Sequence, residues 1–185
     1  MAQTDIFLAM SKDGFKIGDT DFGTSDVRCP GAIEVLSYSH TIQQIGAESG
    51  GRPRSVEDVS HGDFEIEKAV DAFSPLLFHM CCSGTYIAEA KVLLYSAGGG
   101  WSWSANKTPP TGYPPPFLEY TMSYVHISYV SPSGGSGIPT EKIGLKYGQM
   151  RVKHLPSNTQ RDWSLVMEAP VKLFAGSDAG DHKTQ

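Results

Sequence analysis

The residues best suited to bind a metal ion in this 185-residue chain are its histidines and cysteines. The six histidines are His40, His61, His79, His126, His154 and His182. None of them stands at a metal-ligand spacing from another histidine or from a cysteine. His79 precedes Cys81 and Cys82 in a predicted helix, where positions two or three residues apart do not bring three ligands to one face. We therefore predict no metal site and no cofactor.

Enzymatic chemistry would need an activated nucleophile or a phosphate-binding loop. The stretch Gly134-Gly135-Ser136-Gly137 is not a nucleophile elbow, because its second glycine comes one residue too early and no helix follows. The chain also lacks the glycine-rich motifs that bind nucleotides. Asn106-Lys107-Thr108 matches a glycosylation sequon, which we interpret as accidental because no signal peptide is visible. The sequence thus predicts a protein that is not an enzyme.

Aromatic residues in an irregular segment offer a third kind of chemistry. Trp101, Trp103 and Tyr113 lie in a glycine- and proline-rich stretch, 98–116. Such rings could stack on a sugar or on a partner protein, or the loop could fold back onto its own domain. Both interpretations stay open, and the first defines an alternative function, a carbohydrate- or ligand-binding β-sandwich.

Length and composition bound the class of protein. We expect one domain over residues 1–175 and a disordered polar tail over 176–185. With 15 basic and 20 acidic residues the net charge is −5, and no basic run exists to neutralise a nucleic acid. No apolar stretch reaches the roughly 18 residues of a membrane span. Adjacent Cys81 and Cys82 would form a strained disulfide, so we expect reduced thiols in a cytoplasmic protein without a secretory signal.

One helix stands out among the elements that must position these residues. Ser74 is placed to cap it with its hydroxyl, Pro75 suits the first helical position, and Gly84 suits the left-handed turn that ends it. Phe73 and Phe78 have the spacing of a hydrophobic staple. One apolar face is predicted for Leu77, Met80 and Cys81.

Seven β-rich stretches surround this helix. The predicted strands are Asp5–Met10, Ile33–Ile45, a strand beginning at Asp63, Ile87–Ala97, Phe117–Val130, Thr140–Lys153 and Trp163–Pro170. In the second strand the predicted core face carries Leu36, Tyr38, His40 and Ile42. Its other face carries Val35, Ser37, Ser39 and Thr41, a small and hydroxylated set that suits a wet surface. These elements predict a mainly β fold, a small barrel or sandwich with one helix.

Several stretches, in order, resemble the Hcp (haemolysin-coregulated protein) family, the tube-forming proteins of bacterial type VI secretion. The similar stretches are Asp5–Leu8, Ile33–Ser39, Asp63-Phe64, Lys68, Asp71, Ser74–Leu76, Gly84, Ala90, Ala97–Gly99, Tyr129–Gly135, Pro139–Glu141 and Trp163. The chain differs from the family pattern in residues 11–30, in the long segment after Gly99, and in carrying His40 where an aromatic residue is common.

The resemblance implies a small β-barrel of two antiparallel sheets with one short flanking helix. It implies homo-hexameric rings that stack into a tube, carry or chaperone effectors in the lumen, and meet spike and sheath proteins. It also implies a virulence-related protein that starts in the bacterial cytoplasm and is secreted by the type VI apparatus without a signal peptide. No nucleic acid and no membrane insertion are expected.

Site residues follow from the same resemblance. Ser39 matches a lumen-facing position, and its hydroxylated strand face extends the expected effector contact to Ser37 and Thr41. The loop 46–62 resembles the family's extended loop, which implies ring stacking through Gly50, Arg52 and Arg54. Trp101, Trp103 and Tyr113 remain the candidate partner-binding residues.

Overall fold

The computed structural model of the chain describes residues 4–12, 15–17, 26, 28–44, 59–96 and 115–165. The strands are β1 Thr4–Lys12, β2 Phe15–Ile17, β3 Ile33–Val35, β4 Ser37–Ser39, β5 Ile42–Gln44, β6 Val59–His61, β7 Phe64–Ala69, β8 Ile87–Ser96, β9 Leu118–Ser133, β10 Thr140–Lys146, β11 Gln149–His154 and β12 Thr159–Ser164, and the helix is α1 Ser74–Ser83. The predicted mainly β class with one short helix is confirmed for the described residues.

The strands are joined by antiparallel ladders around the long strand β9. The main sheet runs β2-β1-β8-β9-β10-β7-β4, β11 pairs with β9 and β12, β3 pairs with β1, and β5 and β6 form a separate ribbon. The ladder breaks between β3, which pairs with β1, and β4, which pairs with β7. Within the described residues the strands therefore form two antiparallel sheets, as the resemblance implied, and they do not close into a barrel.

The larger of two apolar clusters among the described residues lies beneath these ladders. Its buried members are Leu8, Met10, Ile33, Val35, Phe64, Ile66, Phe73, Leu77, Met80, Ile87, Ala90, Val92, Leu94, Met122, Val125, Ile127, Ile143, Leu145, Tyr147 and Met150. These residues come from β1, β3, β7 to β11, α1 and the segments beside them, so every layer contributes to one hydrophobic cluster. No helix among the described residues is long and apolar enough to cross a membrane.

The helix forms where it was predicted, but its first turn is held differently. The residue before it, Phe73, occupies the cap position, and no side chain caps the first N–H groups. The Ser74 hydroxyl instead accepts a hydrogen bond from the Asp71 N–H and donates one to Glu141 Oε1, at 3.0 and 2.7 Å. The predicted serine cap is therefore wrong, because Ser74 is the first helical residue and its oxygen accepts the N–H of Asp71, which precedes the helix.

The two phenylalanines beside the helix start also separate. Phe73 is buried in the core while Phe78 is 63% exposed, so the predicted hydrophobic staple is wrong. Leu77 and Met80 are buried and Cys81 packs partly against the core, as the helical spacing indicated. The helix ends at Gly84 with φ of 60°, the left-handed turn that glycine adopts without steric penalty.

The predicted strand Ile33–Ile45 is three short strands, because its faces change at Leu36. Leu36 N–H donates to the Glu67 carbonyl at 2.7 Å, and its side chain is 60% exposed. Val35 is buried and Tyr38 packs against the core, so one extra residue separates two inward-facing positions. Val35 therefore does not belong to the wet face. Ile42 is 53% exposed because β5 pairs with β6 outside the main sheet.

A second break interrupts the predicted strand Thr140–Lys153. β10 pairs with the second half of β9 and β11 with the first half, and residues 147–148 separate them. Opposite this break Tyr124 has φ of 58°, and Gly148 N–H donates to the Ser123 carbonyl at 3.0 Å. The side-chain alternation of β9 shifts there, so Met122 before the break and Val125 and Ile127 after it are all buried. The last strand, β12, ends at Ser164, and residues 166–170 of its predicted range lie outside the described residues.

Candidate functional site

Four neighbouring strands, β4, β7, β10 and β9, place a polar surface on the side of the sheet opposite the core. In the β7 ladder Ser37 is paired with Glu67 and Ser39 with Glu65, and β10 places Lys142 opposite Glu67. Phe64, Ile66 and Lys68 alternate with these glutamates and are buried, so the glutamates point away from the core. We call this surface the outer face. Its members are Ser37, Ser39, Glu65, Glu67, Tyr129, Thr140 and Lys142.

Hydroxyl groups of the outer face donate to its two carboxylates. Ser39 Oγ donates to Glu65 Oε2 at 3.1 Å, and Ser37 Oγ donates to Glu67 Oε2 at 3.2 Å. Thr140 Oγ1 donates to the other Glu67 oxygen, Oε1, at 3.3 Å. The serines are exposed, so these bonds organise the surface and leave it open to water.

Tyr129 completes the outer face by lying across β10. Partial burial, together with its hydrogen bond to Glu65, raises the pKa of Tyr129 to about 12. The phenol therefore keeps its proton at neutral pH and donates it to the carboxylate. Gly144 makes this arrangement possible, because a Cβ at that position would collide with the Tyr129 ring and the Ser128 hydroxyl.

A second polar cluster lies at the base of the β5–β6 ribbon. Tyr147 Oη is 2.8 Å from His40 Nε2 and 3.0 Å from His61 Nδ1, so one hydroxyl bridges two imidazoles. Burial lowers the pKa of His40, assisted by the neighbouring His61, and burial also lowers the pKa of His61. The ribbon is closed by a hydrogen bond from Gly62 N–H to the Thr41 carbonyl at 2.9 Å. Two neutral histidines thus hold the ribbon to the main sheet.

A buried ion pair connects the sheet to the helix beneath the outer face. Lys68 is fully buried, and its Nζ lies 2.9 Å from Glu141 Oε1 and 2.8 Å from Asp71 Oδ1. It also donates to the Ala69 carbonyl at 2.7 Å. With the Ser74 hydroxyl bound to Glu141, this network holds the start of α1 against β7 and β10.

Three of the predicted site residues are in the described part of the chain. Ser37, Ser39 and Thr41 are all exposed, and the first two belong to the outer face while Thr41 lies on the link to β5. Gly50, Arg52, Arg54, Trp101, Trp103 and Tyr113 lie outside the described residues, as does the predicted tail 176–185.

Sequence reasoning missed the acidic partners of the serines. The alternation of Glu65 and Glu67 with apolar residues marked them as outward-facing, but only the strand register shows which residues lie beside them. No group of three histidine, cysteine, aspartate or glutamate side chains in the described residues could hold a metal ion.

Comparisons with known proteins agree with this architecture. The family profile described as type VI secretion system effector, Hcp, matches residues 23–154. No curated protein sequence matches the chain. Hcp1 from Salmonella typhimurium has 23% identity and a TM-score of 0.66, covering 92% of this chain and 100% of its own. A type VI secretion system effector from Yersinia pestis has 18% identity and a TM-score of 0.64, covering 87% and 100%.

The profile matches well over half of the chain, and both solved structures share its fold along their full lengths. The described residues form a β-rich domain with one helix and an exposed face lined with hydroxyl groups. The chain belongs to the Hcp family of type VI secretion system effector proteins.

Proposed function

We propose that this chain is a structural, non-catalytic subunit of the type VI secretion inner tube. Six copies close into a ring, rings stack, and the outer face lines the bore in which effectors are carried or chaperoned. The domain, residues 1–175 with a polar tail at 176–185, is made in the bacterial cytoplasm and is itself secreted through the apparatus. Its partners are its own copies and the spike, sheath and effector proteins.

The observation that carries this proposal is the contrast between the two sides of one sheet. Phe64 and Ile66 are fully buried on one side, whereas Ser37, Ser39 and Glu65 are exposed on the other. Side chains that hydrogen-bond to one another and to water contribute little to a core, and they suit the wall of a water-filled channel.

Exposed apolar side chains outside the outer face support contacts between copies. The exposed large hydrophobic residues away from it include Leu36, Ile42, Val70, Leu76, Phe78 and Ile138. Phe78 and Leu76 project from one short helix, where the single chain leaves them in contact with water. Burying such residues against the next copy is favourable, and repeated head-to-tail contacts close into a ring when the rotation allows.

The remaining site assignments rest on the resemblance to the family. We assign ring stacking to Gly50, Arg52 and Arg54 in the segment of sequence between β5 and β6. We assign partner binding to the segment that carries Trp101, Trp103 and Tyr113, whose aromatic rings suit a protein surface.

The mass in solution and the appearance in negative stain test the proposal. The wild-type chain is expected to form rings, and Phe78→Ser is expected to shift the population towards smaller species while the isolated fold stays intact by circular dichroism. His79→Ser is the matched control, because it places the same residue at an exposed neighbouring position on the helix. A wild-type chain that stays monomeric at micromolar concentration contradicts the proposal.

A further inference from the structure

The hydroxyl protons of the outer face all point at its own carboxylates. A serine, threonine or tyrosine hydroxyl has one proton to donate and lone pairs to accept. The protons of Ser37 and Thr140 go to Glu67, and that of Ser39 goes to Glu65. The Tyr129 phenol donates to Glu65 as well. These four groups therefore present acceptor oxygens, and no donors, to a molecule that approaches the face.

The carboxylates keep room for further donors. A carboxylate has about four acceptor sites on its two oxygens. Glu67 accepts two hydrogen bonds from the outer face, from Ser37 and Thr140, and Glu65 accepts two, from Ser39 and Tyr129. Each glutamate can thus receive an ammonium or guanidinium group without losing the hydroxyl that orients it.

The net charge of the outer face is negative, which favours the same cationic groups. Two carboxylates, Glu65 and Glu67, stand against one ammonium group, Lys142, which leaves the outer face net negative. At its border Asp63, whose Oδ2 accepts a hydrogen bond from Ser128, is balanced by exposed Lys146 at the end of β10, so the excess of one negative charge is kept. A ring of identical copies would repeat this negative surface around its bore.

We propose that the outer face binds protein cargo through lysine and arginine side chains on the cargo surface. This inference rests on the tube function proposed above and specifies the chemistry of the cargo. An anionic partner would meet like charges, and an apolar partner would strip water from carboxylates without replacing its hydrogen bonds. Glu65 and Glu67 stand two residues apart on one strand, about 7 Å, so adjacent cationic side chains have separate acceptors.

Several copies of the outer face in one ring make individually weak contacts sufficient for binding. An exposed ion pair contributes little by itself and is screened by salt. A cargo that meets several copies of the outer face at once binds through many such pairs, because each later contact is intramolecular. Binding is therefore expected to need the ring and to weaken steeply as salt is added.

The experiment uses two fluorescent peptides, one with alternating lysine and serine and one with glutamate in place of lysine. Anisotropy is measured with the full-length chain at low and at moderate salt. Lysine-peptide binding is expected to weaken at least tenfold in the Glu65→Gln/Glu67→Gln variant. It should stay within twofold of wild type in Glu34→Gln/Glu119→Gln, which removes the same charge elsewhere on β3 and β9.

Ring formation is measured on the same samples, so the two proposals fail separately. Rings that bind the glutamate peptide as tightly as the lysine peptide overturn the inference and leave the tube intact. So do rings whose lysine-peptide affinity is unchanged by the Glu65→Gln/Glu67→Gln substitutions. A wild-type chain that never forms rings overturns the tube function, and with it a cargo surface that acts through repetition.

Discussion

The buried pair of Lys68 and Glu141 offers the sharpest test of what holds the helix to the sheet. Lys68 is fully buried, and Glu141 is 3% exposed with an oxygen 2.9 Å from the ammonium group. Removing one partner of such a pair costs about 3–5 kcal/mol, because it leaves an uncompensated charge in the interior. We expect Lys68→Met to cost about 4 kcal/mol, since Glu141 then loses its cationic partner and retains the neutral Ser74 hydroxyl as a donor.

The reverse substitution leaves more compensation behind. In Glu141→Leu the ammonium group retains Asp71 at 2.8 Å and the Ala69 carbonyl at 2.7 Å. Asp71 is 41% exposed, so its charge is screened more than that of Glu141. We therefore expect a loss of about 3 kcal/mol for Glu141→Leu, the lower end of the range.

The double variant separates pairing from mere packing. Lys68→Met/Glu141→Leu removes both charges and places apolar groups in an apolar surrounding, which is often close to neutral. We expect it to cost about 4 kcal/mol in all, because Asp71 and Ser74 also lose their partners, against the about 7 kcal/mol of two additive losses, which is a coupling of about 3 kcal/mol. Urea unfolding followed by tryptophan fluorescence, at one fixed protein concentration, measures each value.

A surface pair serves as the control for this cycle. Lys91 Nζ lies 3.1 Å from Glu89 Oε1, but the two side chains are 39% and 30% exposed. Replacing Lys91 by Met is expected to cost less than about 1 kcal/mol. If the losses for Lys68 and Glu141 simply add, the two charges act independently and the reasoning about the buried network is refuted.

Three further predictions concern the ribbon, the outer face and the bore. The pKa values of His40 and His61 are lowered in the folded state, so their contribution to the free energy of unfolding is full above a pH of about 6.5 and is lost as the pH falls towards the folded pKa values. Replacing both histidines by Gln should make the urea midpoint less dependent on pH between pH 8 and 5. An unchanged slope of midpoint against pH would contradict this. Gly144→Ala should lower the free energy of unfolding by about 1–3 kcal/mol in thermal unfolding. Gly135→Ala should be nearly neutral, because a Cβ at Gly135 would have no heavy atom within 4 Å. Equal effects of the two substitutions would contradict the steric argument. Ser39→Gln should alter retention of co-expressed effectors without changing the ring in negative stain, and loss of the ring would mean that this residue lies at a subunit contact.

Much of the fold follows from local patterns in the sequence. Alternation of Phe64 and Ile66 with Glu65 and Glu67 predicted β7 and its two faces, and the structure has that strand. The helix and its end at Gly84 could also be predicted from the sequence, because Gly84 stands at the position where a left-handed turn is needed. Both signals depend on neighbours within one element.

The wrong predictions concern residues whose conformation depends on contacts with another element. The face of Val35 could not be read from alternation, because Leu36 bonds to the Glu67 carbonyl and shifts the pattern by one residue. The hydroxyl of Ser74 has the chemistry of a cap, but Ser74 lies inside the helix, where its oxygen accepts from Asp71 and its proton goes to Glu141, 67 residues away. The composition of the outer face also depends on strand register, because nothing in the neighbouring sequence indicates that Ser37 and Ser39 lie beside glutamates.

The most direct measurement of the central proposal is the mass of the full-length chain by light scattering at micromolar concentration, with negative-stain images of the same sample. The account predicts a species of about 120 kDa, six times the 20.0 kDa of one chain, seen as rings with an open centre. A single species of one-chain mass without rings would contradict it.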